Sequence, residues 1–173
     1  MSTNDPDPAV ASELPQGSLD LLDTEVAQSL LASAVPARVA YVAKDGTPRV
    51  IPTWFHWTGE ELVMPTFVRA PHVQRPARRL DALRARPDVA ITIDTNEFPP
   101  NVLLIRGRAT VTEVEGVDPD YAASARRYMG EEAVSEYLAF LDEPVTTMAR
   151  IAVRPAWVGV LDFETRVPGG MAG

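Results

Sequence analysis

The stretch RVAYVAKDGTPRVIPTWFHWTGEELVMPT, residues Arg38–Thr66, decides how the chain is read. It alternates strand-like runs with turn signals. Arg38–Ala43 mixes β-branched and aromatic residues, Lys44-Asp45-Gly46 is a hairpin turn signal, and Val50–Trp57 is predicted as a second strand. Thr58-Gly59-Glu60 turns the chain again and Leu62–Thr66 returns. Composition then inverts. From Arg69 to Arg86 stand Arg69, Arg75, Arg78, Arg79, Arg84 and Arg86, with His72 and the single acid Asp81, in a chain whose formal charge is −8. The planar guanidinium donates several hydrogen bonds at fixed geometry and suits phosphate. The expectation is an antiparallel barrel whose open edge and basic connector hold a phosphate-bearing ligand.

The second strand carries apolar residues on both faces. Ile51, Thr53, Phe55 and Trp57 point one way, and Val50, Pro52, Trp54 and His56 the other. A sheet with one wet face alternates more cleanly, so a second covering surface is implied, either a helix or another subunit. Pro52 lacks the N–H for a ladder bond and marks an edge or a break. Free backbone groups on such an edge can hydrogen-bond a ring system.

Outward from this stretch, residues 1–17 are rich in Pro, Asp, Ser and Gly and are expected to form a disordered, dispensable tail. Asp23 or Thr24 can cap a short helix to about Ser33. Pro76 is a plausible first-turn residue for a helix to about Arg84, which would place Arg78 and Arg79 in that first turn. Ala90–Thr95 and Val102–Glu113 read as strands, with Gly107 a candidate bulge. Asp118-Pro119 starts a helix that Gly130 interrupts and Glu131–Leu141 continues. Thr147–Val153 and Trp157–Phe163 are expected as two last strands split by Arg154-Pro155. The domain is expected over residues 18–166, followed by a tail over 167–173.

A chain of 173 residues suits one domain. A pI near 4.7 argues against general nucleic-acid binding and against anionic membranes. No apolar run approaches the roughly 20 residues of a membrane span. The N-terminus shows no charged-then-apolar signal pattern, and a cytoplasmic location is expected. With no cysteine there is no thiol nucleophile and no thiolate-bound metal. His56 and His72 lack metal-ligand spacing. Nucleophile-elbow and Gly-rich phosphate-loop motifs are both missing. Hydrolase and kinase chemistry therefore has no support, and catalytic residues are not assigned. Phosphate binding beside an aromatic surface remains, which suits a protein whose chemistry is carried by a cofactor. Two readings stay open for each feature. The arginines form either a phosphate grip or a solvated face, and Trp54, Phe55 and Trp57 form either core and interface or a stacking surface.

The order VIPTWF, GEELVMPT, RRLDALRARPDVAITID and IRGRATV resembles the pyridoxamine 5′-phosphate oxidase-like family, over about Leu21 to Phe163. The resemblance implies a homodimeric split β-barrel, mainly β with flanking helices, with FMN or, in some relatives, the deazaflavin F420 bound across the dimer interface. It implies that Val50, Ile51, Pro52, Thr53, Trp54 and Phe55 lie along the isoalloxazine ring. Pro65 and Thr66 would meet the cofactor tail, with Arg78 and Arg79 as the pair at the phosphate and Arg75 beyond them, where the acidic tail of F420 would account for it. Trp157 would be the aromatic near the flavin, contributed by this subunit or the other. Enzymes that oxidise pyridoxamine phosphate carry an Arg-x-His pair after the last Trp strand. Here that strand reads VGVLDFETR, without the His, so vitamin B6 oxidation is not expected. The implied function is flavin-dependent oxidation or reduction of a small organic substrate. The rivals are an F420-dependent reductase and a non-catalytic flavin-binding protein.

Overall fold

Along Ala37–Val42 (β1), alternate side chains face an apolar interior, and the neighbouring strands continue that row across the sheet. Ile51, Val39, Ile91, Ile105 and Val158 are cross-strand partners in sequence, and the last four are buried. The computed structural model describes residues 14–73, 75 and 77–163. The other strands are β2 (Pro48–Thr53), β3 (His56–Trp57), β4 (Leu62–Val63), β5 (Thr66–Arg69), β6 (Asp88–Asp94), β7 (Val102–Glu115) and β8 (Thr147–Leu161). The helices are α1 (Glu25–Ala32), α2 (Arg79–Ala85), α3 (Pro119–Met129) and α4 (Glu131–Leu141), with a 3-10 turn at Leu19–Asp23.

All pairings are antiparallel, in the order β2-β1-β6-β7-β8-β4-β3, with β5 also on β8. The end strands β2 and β3 lie at opposite edges of that order, yet only Trp54 and Phe55 separate them in the chain. Three Cα–Cα steps span at most about 11 Å. The two edges must therefore approach each other, and the sheet rolls into a barrel. The predicted single strand Val50–Trp57 is thus two strands on two edges. Phe55 turns fully into the barrel core, while Trp54 packs into a second apolar cluster under α3 and α4 with Tyr121, Phe67 and Met148. Leu62–Thr66 likewise divides into β4 and the start of β5, and β5 occupies the beginning of the segment expected to be a basic connector.

The predicted caps form. The Thr24 hydroxyl accepts from the Ala27 N–H, and the Asp118 carboxylate accepts from the N–H groups of Asp120 and Tyr121, with Pro119 at the first helical position. Gly130, at φ 82°, separates α3 from α4. The helix after the basic stretch starts at Arg79, with Arg78 at its cap position; Pro76 lies outside the described residues. The last two predicted strands are one, β8. Arg106 faces Trp157 while Gly107 faces Pro155, so Ala156 is the extra residue of a bulge that accommodates the proline. A Cβ on Gly107 would lie 2.5 Å from the Arg154 carbonyl oxygen, which explains glycine at the expected bulge position. Among the described residues no helix is long and apolar enough to cross a membrane.

The expected tail needs correction. Residues 1–13 and 164–173 lie outside the described residues, but Leu14–Gly17 are docked. The Gln16 side-chain amide donates to the Val160 carbonyl (2.7 Å) and accepts from the Val160 N–H (3.0 Å), and the Gly17 N–H donates to the Val158 carbonyl (2.7 Å). One glutamine thereby substitutes for a neighbouring strand along the end of β8, and Leu14 packs against the core. Composition hid this because the contacts use backbone and amide groups more than apolar area. A net contribution of about 1 kcal/mol per hydrogen bond, converted at about 2–4 °C per kcal/mol for a domain of this size, predicts a melting temperature several degrees lower for a chain beginning at Ser18 than for one beginning at Leu14. Equal melting curves would show that this segment contributes nothing.

Candidate functional site

Inward residues near one end of the barrel leave a hollow lined by Val39, Tyr41, Ile51, Thr53, Met64, Leu83, Ile151 and Arg79. Strands β1, β2 and β8 supply apolar walls, and α2 delivers Arg79 from its first residue. Leu80 and Leu83 are buried, and that amphipathic anchoring fixes the direction in which Arg79 projects. The Arg79 guanidinium donates to the Thr66 hydroxyl at the start of β5. No carboxylate pairs with it among the described residues, and burial pushes its pKa below the ordinary arginine value, with the nearby Tyr41 opposing. A half-buried cation without a counter-charge is costly. The hollow is about 10 Å³, too small to enclose a phosphate, so it is an anion bound against the guanidinium that would offset that cost.

Thr66, Arg79, Ile51 and Thr53, all named from the sequence, therefore meet at one place. Arg75 and Arg78 stand exposed on the approach to α2, and neither has a carboxylate partner among the described residues. Pro65 is buried just before β5. Val50 and Pro52 alternate outward on β2 and are exposed. Phe55 is sealed in the core, so its contribution is to the barrel wall. Trp54 stacks on Tyr128, with ring centroids 5.0 Å apart and planes 5° apart. Burial raises the Tyr128 pKa, opposed by the Arg127 charge.

Trp157 lies elsewhere. It sits six residues beyond Ile151 on β8, about 20 Å at the rise of a strand. Its ring is tightly set. A Cβ on Gly159 would come 2.6 Å from the ring and one on Gly17, at φ 103°, 2.8 Å from the indole nitrogen; the Arg106 guanidinium carbon lies 4.1 Å from the ring centroid. Trp157 is not among the residues that line the hollow beside Arg79.

Several lining residues were not picked out from the sequence. Tyr41 carries a usable signal, since it shares the inward parity of Val39 and brings a hydroxyl into an aliphatic row. Met64, Leu83 and Ile151 carry none beyond being apolar. His56 lies 3.9 Å from Asp120, which also binds Arg150, and Arg150 reaches Glu61. This is a polar network between β3, α3 and β8, outside the hollow. No group of His, Cys, Asp and Glu that could hold a metal occurs among the described residues.

No family model matches the chain, and none of the curated proteins matches it. Solved structures do. A protein described as an F420 reductase is 26% identical with a TM-score of 0.56, over 76% of this chain and 94% of that one. A provisionally named pyridoxamine 5′-phosphate oxidase from Listeria innocua is 18% identical with a TM-score of 0.52, over 78% and 94%. A heme storage protein from Vibrio cholerae is 17% identical with a TM-score of 0.52, over 78% and 90%. The order of strands, the barrel closure and these likenesses agree with the sequence resemblance: the chain has the fold of the pyridoxamine 5′-phosphate oxidase-like proteins.

Proposed function

We propose that the chain is an oxidoreductase that holds a phosphorylated flavin-type cofactor, its anionic end on Arg79 and Thr66. The observation that carries this reading is the Arg79 guanidinium, half-buried, without a carboxylate and directed into an apolar hollow. The donor set fits a phosphate, which accepts several hydrogen bonds from a guanidinium and a hydroxyl. When bound, the cofactor supplies hydride chemistry toward a small organic substrate. The chain's own residues bind and orient it. Arg79 and Thr66 meet the anion, Ile51 and Thr53 form the β2 wall, and Val39, Met64 and Ile151 exclude water.

Two cofactors suit this chemistry, FMN and F420. The deazaflavin is favoured by two observations. The F420 reductase shares 26% identity with the chain. Arg69, Arg75 and Arg78 also have no carboxylate partners among the described residues, which an acidic cofactor tail would supply. Arg69 is held only by a 3.4 Å hydrogen bond to the Thr147 hydroxyl.

The proposal includes a homodimer. The outward row Val50, Ala40, Ala90, Arg106 and Trp157 crosses five strands, and Val50 is 64% exposed. A second copy would cover the exposed residues Val50 and Pro52 of β2, and obligate dimers bury more than about 2,000 Å².

The visible spectrum of the purified protein, and titration with FMN and F420 if it is colourless, tests the cofactor reading. Binding of neither, or a heme Soret band, would overturn it. Loss of a charge-assisted hydrogen bond worth about 1.5–3 kcal/mol should make Arg79→Ala bind FMN or F420 about tenfold to a hundredfold more weakly. Riboflavin, which lacks the phosphate, should be affected far less. Arg126→Ala, on the outer face of α3, is the control for charge alone. Light scattering should give a dimer mass, and Val50→Asp should shift it toward monomer. A monomeric wild type at micromolar concentration would remove the dimer from the proposal.

A further inference from the structure

The end of α3 carries a second half-buried arginine that the cofactor reading does not use. The Arg127 guanidinium donates to the Leu31 carbonyl at the end of α1 (2.9 Å) and to the Phe55 carbonyl in the link between β2 and β3. It also lies close to two rings set nearly at right angles, with its central carbon 4.4 Å from the Phe55 centroid and 5.0 Å from that of Tyr128. Its Nε is buried without a partner. No carboxylate pairs with it among the described residues. Its charge is offset by carbonyl dipoles, one of them at a helix C-terminus where a cation is favoured, and by ring faces. The neighbouring Tyr128 hydroxyl donates to the Val35 carbonyl just before β1 (3.1 Å), and its ring stacks on Trp54. Two consecutive residues of α3 thus hold the end of α1, the lead into β1 and both residues of the closing link.

We propose that Arg127 is a positioning residue of the ligand site. By fixing the Trp54–Phe55 link it sets where β2 ends, and so where Ile51 and Thr53 stand as a wall of the Arg79 hollow. This rests on the cofactor reading for the identity of the ligand and on the geometry of the link for the device itself. A purely general stabilising role makes a different forecast, because it would weaken all parts of the fold together. Lysine cannot replace arginine here. Two separate guanidinium nitrogens meet the two carbonyls, whereas lysine carries all its donors on one nitrogen and presents no planar face to the rings.

The test uses full-length Arg127→Lys and Arg127→Met. Amide exchange is followed at His56 and Trp57, and in β6 and β7 for comparison, together with FMN and F420 titration. We expect both variants to melt cooperatively. Exchange at His56 and Trp57 should accelerate at least tenfold while β6 and β7 stay unchanged, and affinity for whichever cofactor the wild type binds should fall about tenfold or more. Unchanged exchange in the link, or unchanged affinity in a variant whose wild type binds, would overturn the proposal. Uniform acceleration, or failure of both variants to fold, would show a general stabiliser and would overturn it too. If the wild type binds neither cofactor, the cofactor reading falls, and exchange alone decides the device. Local acceleration then upholds it and any other pattern rejects it.

Discussion

Two residues close this barrel. Trp54 and Phe55 carry the chain from β2 at one edge of the sheet to β3 at the other, and a dipeptide link leaves the edges no freedom to separate. Because successive side chains of an extended link point to opposite sides, closure also divides the apolar residues into two groups. Phe55 belongs to the barrel core, and Trp54 to the cluster beneath α3 and α4. The helices are thereby attached to the barrel at the point where its curvature is set. The hollow next to Arg79 depends on that curvature, since its walls come from the adjacent pair β1 and β2 and from β8, which β6 and β7 separate from them in the sheet order.

The arginines fall into groups according to what offsets their charge. Arg38, Arg49, Arg84, Arg108, Arg126, Arg150 and Arg154 sit within ion-pair distance of carboxylates, most of them at exposed positions, where such pairs contribute little. Arg86 and Arg127 are held by backbone carbonyls, and Arg106 by an indole face. Arg79 has one neutral hydroxyl and partial burial. In a chain of net charge −8, acids are plentiful, so an arginine kept from them beside an apolar hollow is informative. Abundance of arginine between residues 69 and 86 does not distinguish these cases. Arg84, in the same helix as Arg79, is an ordinary surface pair with Glu113 and Asp81.

Local signals in the sequence carried the parts of the fold that depend on local physics. The caps at Thr24 and Asp118, the interruption at Gly130 and the bulge beside Gly107 follow from side-chain hydrogen bonds and from backbone freedom, which neighbouring residues specify. The break at Trp54 was not legible. Both halves of Val50–Trp57 have strand composition, and only the pairing of distant strands shows that they sit on opposite edges. The continuity of β8 through Pro155 was hidden for a related reason, because a proline reads as a breaker unless the partner strand provides a bulge. Thr66 and Arg79, expected near each other from their chemistry and the order of motifs, do meet in the structure. The docking of Gln16 on β8 was missed because one amide mimicking a strand leaves no composition signal, and Arg127 because its partners are carbonyls.

The position of Trp157 bears on the assembly. Along the sheet, the outward row from Val50 on β2 to Trp157 on β8 takes four interstrand steps, about 19 Å at the spacing of hydrogen-bonded strands. One copy therefore presents the β2 edge and the indole at opposite ends of a single row. Residues i and j exchange roles across an isologous interface, so a two-fold axis through the middle of this row would set each end against the other end in a second copy. A dimer of that geometry would bring the Trp157 of each copy toward the Val50 strand of the other. The glycines at 17 and 159 leave room for the ring, and the Arg106 guanidinium stands over it, so a second copy packing on this row would meet the indole together with that arginine.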